Sequence, residues 1–293
     1  MLLPLWSLFG LATAFFSAGM MLLQERLRVN PYALPFWIKM ACVIVTAPFV
    51  VIHGAPTDPL FYFYLALTAI IYAISDVVFF SGISKTNAGA VARLVPSASV
   101  LSFLLWFAVD PALLDKYLAS PVIAALIFLT LCLFSFFAFR LKKCTVTMQT
   151  FRAVWFVIFA ATAGPMLTKM ITLYADMTQA VYAYVFLQGL MMMALWLVYL
   201  VIRKPVPLDV FFAWETCRKG MLVGLASAAM ILTKFTSFYF VDNPAYIPAM
   251  IALDSVIILA FYKLTGRRVE GDIVSGLGLV ACAAALIILK AQV

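Results

Sequence analysis

Lys39, Asp76, Lys169, Lys234 and Asp254 all lie inside long runs of apolar residues, and Arg93 stands about one turn inside another such run. A charge near the centre of a bilayer costs at least ~2.5–3.5 kcal/mol, so it normally faces a protein-lined cavity and marks a substrate or ion path. Each half of the chain carries two cations and one anion: Lys39, Arg93 and Asp76, then Lys169, Lys234 and Asp254. If Asp76 pairs with Arg93 and Asp254 with Lys234, Lys39 and Lys169 keep no counter-ion. A buried, unpaired ammonium either loses its proton or waits for an anionic ligand. The chemistry expected is electrostatic capture of a small organic anion, or of a zwitterion through its carboxylate.

Other roles compete for the same residues. Long lysine and arginine side chains snorkel towards headgroups, and an aspartate in a span also serves in a structural ion pair. Asp76 and Asp254 are the candidate proton carriers, because a carboxyl in a low-dielectric cavity titrates closer to neutrality unless a cation holds it ionised. Exchange of one anion for another needs no titrating group. Trp37, Tyr72, Tyr182 and Tyr239 are second-rank candidates for shaping a pocket, since most aromatics in a membrane protein anchor or pack.

The elements that must carry these groups are helices. Two-thirds of the residues are hydrophobic and 11% are charged, outside the range of soluble domains. At roughly 20 apolar residues per crossing, spans are expected near 3–23, 32–53, 59–83, 89–109, 119–139, 154–174, 179–201, 220–240, 245–264 and 273–292. Prolines fall between or at the ends of most runs, while Pro96, Pro165 and Pro248 fall inside them. The runs are continuous rather than alternating, which rejects a β-barrel. The first run lacks a cleavage site and continues into Gln24-Glu25-Arg26, so it is expected to be a mature helix. Asp242, ahead of Asn243-Pro244, is expected to cap the ninth helix.

Loops after odd-numbered spans hold Arg26, Arg28, Lys85, Arg140, Lys142, Lys143, Arg152, Arg203, Lys204, Arg218, Lys219, Arg267 and Arg268. Those after even-numbered spans hold Lys116 and, near the C-terminus, Lys290. By the positive-inside rule the odd loops are cytoplasmic and both termini lie outside. The basic residues sit in short loops, a topology signal rather than a nucleic-acid surface.

The order of features repeats. Asn87-Ala88 falls in step with Asn243-Pro244, Ser99-Val100 with Ser255-Val256, and Ala18-Gly19 with Ala163-Gly164. Gln24 falls opposite Lys169, and Gln188 opposite Lys39, so equivalent sites are polar in both halves but differ in charge. Two similar halves of five spans have opposite orientations, the inverted-repeat plan of secondary transporters with a site at the midplane. The expected fold is an all-α polytopic membrane protein of ten transmembrane helices, with repeats over 1–146 and 147–293.

Five plus five helices, short loops and a small-residue turn between a repeat's third and fourth helices resemble the EamA-type permeases of the drug/metabolite transporter superfamily. The resemblance covers nearly the whole chain. It implies alternating-access transport of a small metabolite, without implying which. The chain departs from the family in one turn: the second half offers Gly266-Arg267-Arg268-Val269-Glu270, whereas the first has Asp110-Pro111-Ala112. Members are also commonly drawn with cytoplasmic termini.

The expected function is therefore secondary-active transport of a small anionic or zwitterionic metabolite across a plasma or bacterial inner membrane, by a monomer or homodimer. A coupling proton or counter-transported anion is its expected partner, with no nucleic acid. Alternatives are an amino-acid or metabolite exporter, and a flippase for a charged lipid. A lone His53, five scattered cysteines and no Gly-x-x-x-x-Gly-Lys-Ser/Thr loop give no expectation of a metal, a cofactor, ATP hydrolysis or enzymatic chemistry.

Overall fold

The computed structural model describes residues 4–85, 96–141, 148–266 and 272–292, with side chains described for all of these except 79–85 and 148–154. The expected site residue Arg93, the turn at Arg267–Glu270 and the repeat element Asn87-Ala88 lie outside the described residues. Helices make up the regular structure of what is described: α1 (Leu5–Leu27), α2 (Leu34–His53), α3 (Pro59–Lys85), α4 (Ser97–Val109), α5 (Pro111–Ala119), α6 (Pro121–Leu141) and α7 (Met148–Ile171). They continue with α8 (Met177–Arg203), α9 (Leu208–Phe211), α10 (Trp214–Tyr239), α11 (Tyr246–Ile251), α12 (Asp254–Leu264) and α13 (Ile273–Lys290).

Proline opens many of these helices because its fixed φ suits the first turn and its missing N–H is not needed there. Pro59, Pro111 and Pro121 begin α3, α5 and α6 in this way. Arg28 and Lys204 close α1 and α8 in the left-handed conformation, at φ 51° and 45°.

Eight helices are long and apolar enough to cross a membrane, counting α11 and α12 as one stretch, and the bent pair α4–α5 makes up to nine. The described apolar stretch of α7, Trp155–Ile171, is shorter. Phe15, Phe63 and Val198 are 65%, 60% and 56% exposed. Such outward-facing side chains are a liability in water and the ordinary state in lipid. The protein is a polytopic integral membrane protein.

Three expectations change. Residues 111–118, expected within a loop, belong to α5, which turns 108° away from α4. Asp110 causes the turn locally: its side chain accepts the Leu113 N–H at 3.1 Å, and Pro111 starts the new helix. Leu113 and Tyr117 then bury one face, with the Tyr117 hydroxyl hydrogen-bonded to that of Tyr246. The ninth span is interrupted between Ile251 and Asp254, so Asp254, near the middle of the stretch Tyr246–Leu264 as expected, also begins a helix. Asp242 is not the cap before α11. Asn243 Oδ1 accepts the Ala245 N–H at 3.1 Å instead, while Asp242 meets Lys290 Nζ at 2.6 Å.

Small residues set how closely the helices pack. α1 runs along α10, α2 along both α8 and α10, α3 along α7, and α6 along α13. A Cβ on Gly224 would lie 2.5 Å from Ala41 Cβ and 3.1 Å from Ile38 Cα, and one on Gly220 would lie 2.6 Å from Trp37 Cβ. Two glycines one turn apart on α10 thus let the α2 backbone approach directly, as membrane interfaces require.

Candidate functional site

A cavity of about 260 Å³ lies among α1, α2, α3, α7, α8 and α10. Helical spacing explains which side chains reach it, because residues four apart share a face. Tyr72 and Asp76 enter from α3, Tyr184, Gln188 and Met192 from α8, and Ser227, Ile231, Lys234 and Phe235 from α10. Lys39 enters from the first turns of α2, and Thr168 from α7.

Two ammonium groups and one carboxylate therefore share one hollow. Among the described residues neither lysine has a carboxylate within 4.0 Å. Lys234 Nζ lies instead over the Tyr72 ring, 5.7 Å from its centroid. Such a contact with an aromatic face stabilises a desolvated cation by about 2 kcal/mol, less than a buried cation loses by leaving water. The Tyr72 hydroxyl presses on Gly164, where any Cβ would collide with it.

Further aromatic and amide groups shape the wall. Tyr184 stacks on Phe235 with centroids 4.2 Å apart and planes at 21°. Gln188 Nε2 donates to the Tyr184 hydroxyl at 2.7 Å, which fixes the ring's rotation. The lining carries a formal charge of +1, from Lys39 and Lys234 against Asp76. Chemically it can hold one anionic group between two cations, with a carboxylate at hand for an ammonium.

The other expected site residues lie elsewhere. Lys169 Nζ donates to the Phe238 carbonyl at 2.8 Å and lines a second cavity, of about 340 Å³. Asp254 is buried and accepts from Ser17 Oγ at 2.8 Å and Ser255 Oγ at 3.2 Å. Trp37, in the first turn of α2, donates its Nε1–H to the Phe211 carbonyl at 3.1 Å. Tyr182 is stacked between Phe49 and His53, at 4.7 and 5.6 Å. Tyr239 donates its hydroxyl to the Ala175 carbonyl at 3.0 Å. Glu25 accepts a hydrogen bond from Tyr262.

Ser227 and Phe235 were not expected as site residues, Tyr184 was expected only among the aromatics able to shape a pocket, and Gln188 only as the counterpart of Lys39. The available signal was the stripe Ser227, Ile231, Lys234, Phe235, in which a lysine and a serine share one helical face. Among the described residues no group of His, Cys, Asp and Glu could hold a metal ion.

Asp242 stands outside the membrane-spanning segments, beside the second cavity. Burial is the strongest single influence on its carboxyl and pushes it up. The hydrogen bond and charge of Lys290, joined by Lys116 and Lys169, outweigh that and hold it below the ordinary 3.8. A depressed carboxyl contributes stability above its unfolded value, and this is lost as pH falls through the folded one. Acidification to below 3.8 is expected to remove a small part of the thermal stability, small because the side chain is half-exposed. Asp242→Asn should lack that part, and superimposable curves of unfolding temperature against pH for the two proteins would count against the pair.

No family model matches the chain, and no curated protein matches it. A solved structure described only as "Crystal structure of protein" aligns over 98% of this chain and 98% of its own, with a TM-score of 0.72 and 10% sequence identity. At that identity the likeness concerns the fold alone.

Proposed function

We propose that the protein is a secondary-active transporter, not an enzyme, which carries a small anionic or zwitterionic metabolite across a plasma or bacterial inner membrane by alternating access. One observation carries this: Lys39, Lys234 and Asp76 line a single cavity between the helices, in which neither ammonium has an ion-pair partner within 4.0 Å among the described residues. Two cations held between helices without a carboxylate against them become more favourable when an anion enters. Asp76 beside them also suits the ammonium of a zwitterion, which keeps an amino-acid exporter as the second reading.

We further propose ten spans in two inverted repeats, as in the EamA-type drug/metabolite transporters. The helix pairings support it. Exchanging halves turns the α1–α10 pair into α7–α3, while α2–α8 and α6–α13 map onto themselves. The cavity draws its lining from the first three spans of each half, the midplane location such repeats favour. Loop charge supports a topology with the basic loops in the cytoplasm and both termini outside.

A thermal-shift screen of purified protein with carboxylates, phosphorylated compounds and amino acids tests the function. At least one class should stabilise it, by about 2.7 kcal/mol at 100 times its Kd, and Lys39→Met should abolish the shift. If no class stabilises the protein and liposomes containing it take up none of the compounds faster than empty ones, the proposal fails.

A further inference from the structure

Few neutral polar groups of the central cavity are open to a ligand. Thr168, Gln188 and Ser227 are each 2% exposed, and Tyr184 is 4% exposed. Thr168 Oγ1 already donates to the Gly164 carbonyl at 2.7 Å, and Gln188 Nε2 to the Tyr184 hydroxyl at 2.7 Å. The Tyr72 hydroxyl packs against Gly164. The charged side chains differ: Lys39, Asp76 and Lys234 are all partly exposed. A compound with many hydroxyls, such as a sugar or a nucleoside, would leave most of them unpaired here, at a cost for each.

Much of the remaining surface is aliphatic. Met20, Ile38, Met230 and Ile231 line the cavity and are partly exposed. Apolar walls screen charge poorly, so the net charge of the lining acts on whatever enters. Among the described residues that net charge is formally +1, two ammonium groups against one carboxylate. One negative charge brings it to zero. A dianion overshoots, and its second negative charge meets Asp76. A zwitterion leaves the balance unchanged. At about 260 Å³ the cavity is also smaller than the ~300–1,000 Å³ typical of drug-sized ligands.

We infer that the substrate is a small monocarboxylate with an apolar body and no second charge, its carboxylate taken by Lys39 and Lys234 and its body by the methionines and isoleucines. Asp76 then sets specificity by turning away a second negative charge. The unbranched, polarisable methionines fit bodies of differing shape, so charge is selected more strictly than skeleton. The substrate class so named rests on the proposed reading of this cavity as the ligand site.

Calorimetric titration in phosphatidylcholine nanodiscs, with empty nanodiscs as the blank for partitioning, compares isocaproate, leucine and isobutylmalonate. The three share one skeleton and carry a hydrogen, an ammonium or a second carboxylate on the same carbon. Isocaproate is expected to bind about tenfold or more tighter than either of the others. Asp76→Asn removes the one negative charge of the described lining, and should bring isobutylmalonate level with isocaproate or ahead of it. Should Asp76→Asn not fold, the order of the three probes on the unaltered protein decides. Leucine or isobutylmalonate binding as tightly as isocaproate overturns the inference, as does an Asp76→Asn protein in which isocaproate keeps its full lead over isobutylmalonate. Failure of all three probes, where phosphorylated compounds or other amino acids do stabilise the protein, overturns it too and leaves the transport reading standing. If those compounds neither stabilise the protein nor enter liposomes containing it, the transport reading falls as well.

Discussion

Lys234→Met is expected to lower anion flux in liposomes by at least ~30-fold, because truncating one partner of a charged contact held away from water costs about 2–5 kcal/mol. The same substitution should raise the unfolding temperature of the ligand-free protein. Lys234 has no counter-ion among the described residues, only the Tyr72 ring 5.7 Å away, so an apolar side chain of similar length removes an uncompensated charge. Opposite signs for activity and stability mark a group kept for function. Lys234→Arg keeps the charge but needs more room beside Tyr72, and intermediate flux is expected. Normal transport by Lys234→Met, or a fall in its unfolding temperature, would remove Lys234 from the mechanism.

Gly224→Leu should prevent α2 and α10 from packing, and Gly224→Ala should destabilise by about 1–3 kcal/mol, the usual cost of overpacking a tight interface. The added Cβ would meet Ile38 Cα at 3.1 Å and the Ile38 carbonyl oxygen at 3.2 Å. Backbone atoms cannot swing aside as a side-chain tip can. Because Ile38 and Lys39 both line the central cavity, displacing α2 should also weaken anion binding in Gly224→Ala. Gly19, where an added Cβ meets nothing within 4 Å, provides the control: Gly19→Ala is expected to be close to neutral. Detergent-solubilised thermal unfolding compares all three, and equal stability for Gly224→Ala and Gly19→Ala would mean that the close approach is not what holds α2 in place.

The amino-acid sequence by itself determined that the protein is helical and lies in a membrane. Continuous apolar runs can satisfy their backbone groups only internally, whatever surrounds them. It also showed which ionisable side chains lie within the helices, since Lys39, Asp76, Lys169, Lys234 and Asp254 sit in such runs, of which Asp254 is buried and the other four are partly exposed. Only the tertiary structure decided which of them meet. Helical periodicity gives a residue's direction relative to its own helix, and the rotation of each helix about its axis is set by packing against neighbours. Thr168 and Lys169 are adjacent, yet they line different cavities, because successive residues point about 100° apart. Asp254, alike in sequence to Asp76, is taken up by Ser17 from a helix at the other end of the chain. The close approach of α2, which carries Lys39 into the cavity that Asp76 also lines, depends on Gly220 and Gly224, whose role shows only when α2 lies against them. The bend at Asp110 was missed for a local reason: a side-chain hydrogen bond there starts a new helix where the hydropathy of residues 110–118 gives no sign of one.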